Sequence, residues 1–135
     1  MGTWDFGPFD NDDAADFADR LDTAGLAERA DLVRAALRAV LAEAGYLEVD
    51  LGAAGVAAAA LVAARCPGGE PVNPVYGPKG EIPGLGGDLV DLAVRALDRI
   101  GGADSELAEL WAESGEGERW AERIAGLRVV LVKER

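Results

Sequence analysis

The sequence predicts an all-α fold: a compact bundle of five or six helices with an ordered N-terminal arm and one long Pro/Gly-rich loop. Three observations predict it. Apolar residues recur in alternating steps of three and four along most of the chain, the spacing of one helix face. The segments with that spacing end at glycine, proline or a short polar residue, the punctuation of helix termini. Half of the residues are hydrophobic but only 6% are aromatic, and the alanine that dominates the remainder favours helix and lets helices approach closely.

Residues 1–10 have no helical period, because Gly2, Gly7 and Pro8 interrupt it. Trp4, Phe6 and Phe9 fall within six residues, and such a density of aromatics predicts an arm docked on the helices rather than a tail. Asp10 or Asn11 is then the cap of a first helix over about 12–21, with Asp12 and Asp13 where the positive end of the helix dipole favours carboxylates. Ala14, Phe17, Ala18 and Leu21 share its inner face.

Thr23 is read as the cap of a second helix reaching Ala44, along the seam Leu26, Ala30, Val33, Leu37, Val40 and Ala44. Asp31 and Arg34 pair one turn apart outside it, and Gly45 supplies the stop. Asp50 is read as the cap of a third helix, from Leu51 to about Arg65, in which no side chain between the two charges is polar. A helix apolar all round is buried all round, so this segment is expected to be the central post, with Gly52 and Gly55 admitting close neighbours. Cys66 and Pro67 end it.

Residues 67–85 carry five prolines and five glycines, and loops of this length tend to be functional or disordered. Val72, Val75, Tyr76 and Ile82 predict partial docking, and Tyr76 and Lys79 are candidate contact residues. A fourth helix over about 88–100 turns Leu89, Ala93, Ala96, Leu97 and Ile100 inward, pairs Asp91 with Arg95, and stops at Gly101 and Gly102. Asp104 or Ser105 caps a fifth, to about Ser114, burying Leu107, Leu110 and Trp111. After the break at Gly115 to Gly117 a sixth runs over about 118–133, with Trp120, Ile124, Leu127 and Leu131 inward. Its β-branched end, 129–132, is read as helix because a lone strand has no partner. The whole, 1–135, reads as a single helical domain.

Composition narrows the function. The formal net charge is −12. A nucleic-acid binder needs a basic stripe to neutralise phosphates, and this chain has none; anionic membrane surfaces are disfavoured for the same reason. The uncharged run from Leu51 to Ala64 is shorter than the roughly 20 residues a bilayer requires, and Met1 is followed by neither a basic nor an apolar leader segment. A cytoplasmic protein is therefore expected. Lys79 and Lys133 are the only lysines among 13 basic residues, a bias suggesting a GC-rich genome.

The motifs weigh against chemistry. With no histidine in the chain, histidine-based nucleophilic sites, zinc sites and general bases are removed together. Asp12-Asp13-Ala14-Ala15-Asp16 matches the string by which prenyl-transfer enzymes hold magnesium. Here it lacks the second acidic motif and the larger helical scaffold, so helix-start electrostatics is preferred. The same stretch lacks the glycine and the terminal glutamate of an EF-hand. Gly77-Pro78-Lys79-Gly80 fails as a phosphate loop, because no Ser or Thr follows Lys79. Cys66 is the only cysteine, and it is read as a half-buried helix-end residue rather than a reactive thiol. No metal and no cofactor is expected.

The opening Met1-Gly2-Thr3-Trp4, followed by Gly7-Pro8-Phe9-Asp10-Asn11-Asp12-Asp13, resembles a bacterial family of short proteins, domain of unknown function 4259. The resemblance covers residues 1 to about 22, departs at Asp5-Phe6, and implies no activity, cofactor or catalytic residue. The functional expectation therefore rests on charge and on exclusion. It is a small acidic interaction module for a basic protein partner, in one version an inhibitor or immunity-type protein, and leaning away from an enzyme. Trp4, Phe6, Phe9, Asp10, Asn11, Asp12 and Asp13 form its candidate binding or structural motif. The alternative is a small hydrolase or ligand-binding domain using carboxylates near the arm and the 67–85 loop.

Overall fold

A computed structural model describes residues 11–69, 78 and 87–134. Six helices are found among them and no strand: α1 (Asp12–Thr23), α2 (Leu26–Ala42), α3 (Val49–Ala64), α4 (Gly87–Ile100), α5 (Glu106–Glu113) and α6 (Gly117–Lys133). The all-α bundle expected from the apolar spacing is what forms, and residues 127–132 are helix.

α3 is the post around which the others stand. It packs against α1, α2, α4, α5 and α6. Ala53, Ala57, Ala58, Ala59 and Ala63 are all at most 2% exposed, so neighbours meet it on every side. Gly55 sets the closest approach. A Cβ there would lie 2.6 Å from Val40 Cγ2 and 3.0 Å from Ile100 Cδ1, so the α2–α3–α4 packing leaves no room for a methyl group. α2 contributes Val33, Leu37 and Val40 to this core, and α4 contributes Leu89, Ala93, Ala96, Leu97 and Ile100, the inward faces that the spacing predicts. Arg34 ties the two helices together outside, with its Nε 3.1 Å from Asp88 and its Nη1 3.2 Å from Asp31. Arg128 joins α6 to α4 through Asp98 at 2.7 Å.

The helix ends depart from expectation in three places. Thr23 does not cap α2. It closes α1, its hydroxyl donating to the carbonyls of Asp19 and Arg20, each at 3.1 Å. Gly25 takes the N-cap position of α2 instead, without a side-chain bond. α2 stops at Ala42, so Ala44 lies outside it and exposed, and Gly45 is not the left-handed stop. Asp50 lies inside the first turn of α3 with Glu48 at the cap position, because the helix starts two residues earlier than the acidic residue suggests. In α5 only Leu107 is fully buried, while Leu110 and Trp111 are half-buried, since this short helix packs chiefly on α3 and α6. Leu127 of α6 is likewise half-buried.

Two loops far apart in sequence lock together. Leu47 N donates to Asp104 O at 2.8 Å, and Glu106 N donates to Leu47 O at 2.9 Å, a single parallel bridge between the α2–α3 and α4–α5 connections. Arg99 Nη1 donates to the carbonyls of Ala103 and Asp104 at 3.0 and 3.3 Å, and its Nη2 reaches Gly45 O. Ser105, 1% exposed, caps α5 by accepting from Ala108 N at 3.5 Å. This clamp brings the heads of α3 and α5 to one end of the bundle.

Candidate functional site

That end is where charge accumulates. Helix heads favour acidic residues in their first turn, where unpaired N–H groups point outward. α1 carries Asp12 and Asp13 there, α3 carries Asp50, and α5 carries Glu106 and Glu109. Asn11 caps α1, its Oδ1 accepting from Ala14 N at 2.8 Å. Glu106 reaches across to α3 and accepts from Val49 N at 2.7 Å. Tyr46, 47% exposed, donates its phenol to Glu109 at 3.3 Å.

The three heads are close enough to feel one another at Asp13. Partial burial raises the proton affinity of its carboxyl above the ordinary value, and the charges of Asp50, Asp16, Asp12 and Glu106 raise it further. The dipole of α1 favours the carboxylate form, but burial and four like charges outweigh it. No cation among the described residues acts on this carboxyl. The same crowding raises the Tyr46 phenol: burial first, then Glu109, Glu106 and Glu113. The result is one end of the bundle with a surplus of negative potential among the described residues. No group of three or more acidic or cysteine side chains among the described residues is arranged to hold a metal ion.

Of the candidate residues, Asn11, Asp12 and Asp13 lie at this end. Trp4, Phe6, Phe9 and Asp10 of the arm, and Tyr76 and Lys79 of the 67–85 loop, lie outside the described residues. Sequence reading missed Asp50, Glu106, Glu109 and Tyr46 as members of the same surface. Each first-turn acid was visible as a helix-start residue, but nothing in the spacing says which helix heads meet.

Two cavities lie elsewhere. One of about 260 Å³ separates α3 from α6 beside the turn at Gly68 and Gly69, and Val56, Ala63, Leu127 and Val130 help to line it. Glu122 is the only carboxylate among its described lining residues. The second, of about 230 Å³, lies between α4 and α6 under the Asp98–Arg128 pair. Cys66 is half-buried and donates its thiol to Val62 O at 3.4 Å; burial, and secondarily Glu134, push its proton affinity up, away from thiolate reactivity.

A family model described as Domain of unknown function (DUF4259) matches residues 2–123. The chain belongs to the DUF4259 family. The match runs far past the N-terminal motif and takes in α1 to α5 and the beginning of α6. No curated protein and no solved structure matches the chain. The family carries no stated activity, so any functional reading rests on the geometry above. No helix of the described residues is long and apolar enough to cross a membrane.

Proposed function

We propose that this DUF4259 protein is a helical protein–protein interaction module that docks a basic partner protein on the carboxylate end formed by the heads of α1, α3 and α5. The observation that carries the reading is Asp13, crowded by four carboxylates with no cation among the described residues acting on it. An arginine or lysine side chain placed there relieves repulsion already present in the free protein. The net charge of −12 extends the attraction beyond contact range, and such fields act chiefly on association rate and on the choice of partner. In its narrower form the module is an inhibitor or immunity-type protein that masks a basic surface.

A short arginine-rich peptide is the probe. In low-salt calorimetry it should bind to the full chain, weaken steeply as salt screens the charges, and lose affinity when Asp13 and Asp50 are both changed to Asn. Because a bound cation favours the ionised carboxyl, binding should release protons near the Asp13 titration. Binding that is equally strong in the Asp13→Asn, Asp50→Asn variant, or no binding at low salt, overturns the proposal.

A further inference from the structure

We draw no further inference here: the strongest candidate, the cavity of about 260 Å³ between α3 and α6 beside Gly68 and Gly69, is bounded only by the described residues, and nothing among them shows what covers it.

Discussion

The carboxylate of Glu106, in the first turn of α5, accepts a hydrogen bond from the backbone N–H of Val49 at the head of α3, at 2.7 Å. One helix therefore caps another from a position 57 residues away in sequence. Loss of such a cap costs roughly 0.5–2 kcal/mol. Glu106→Ala should lower the urea midpoint by an amount corresponding to about 1 kcal/mol, whereas Glu106→Gln, which keeps an acceptor oxygen, should recover most of it. Equal losses in the two variants would mean that the charge matters and the bond does not.

Asp13 should make stability depend on pH in an unusual direction. Its folded proton affinity is raised above the ordinary value of 3.8, so the folded state holds its proton more tightly than the unfolded chain. Its contribution is complete below that ordinary value and is lost as pH rises through the higher folded one. Asp13→Asn should then match the native protein in strongly acid solution and become the more stable of the two as pH climbs past this range. Urea titrations at a series of pH values read the divergence; a constant offset at all pH values contradicts it.

The two glycines of α3 should respond oppositely to alanine. At Gly52 the nearest neighbour of an added Cβ is Leu107 Cβ at 3.4 Å, an ordinary contact. Gly52→Ala should therefore stabilise by up to about 1 kcal/mol, from helix propensity. At Gly55 the added atom runs into Val40 at 2.6 Å, and a β-branched side chain in a helix has little rotamer freedom to yield. Overpacking costs typically about 1–3 kcal/mol, so Gly55→Ala should be destabilising on balance. Thermal melts of the two variants decide it by sign alone.

Asp104 adopts a left-handed backbone with φ of +56° inside the loop clamp, and its carbonyl accepts from Leu47 N. Its side chain is exposed. Asp104→Gly should raise stability by about 0.5–1 kcal/mol by relieving the Cβ clash, and Asp104→Ala should lower it by about 1 kcal/mol, because alanine tolerates this region less well than aspartate. A glycine variant that melts lower than the native protein would show that Asp104 has a contact role which outweighs its backbone.

The seams of α2 and α4 were legible because their apolar residues recur at three and four, and Val33, Leu37, Val40, Leu89, Ala93 and Leu97 are all buried. α3 was legible for the opposite reason: it has no polar face to present. Thr23 was misread because a threonine before an amphipathic run satisfies two geometries. Its hydroxyl can accept from the next helix or donate back to carbonyls three and four residues earlier, and the direction of the chain after Ala24 decides between them. The carboxylate end was only half visible. Periodicity assigns residues to faces but is silent about which helix ends meet, and the Leu47–Ser105 bridge that gathers them joins residues of no recognisable pairing signal.

Because α3 touches all five other helices, it leaves the bundle little scope for partial opening. Exposing its amides requires most of the surrounding helices to separate at once, and no subset of them can detach α3 while the rest stay packed. Its amides should therefore exchange with solvent only through global unfolding, with the full unfolding free energy as their protection, while the ends of α5 and α6 exchange by local fraying. The alanine post makes the fold one cooperative unit.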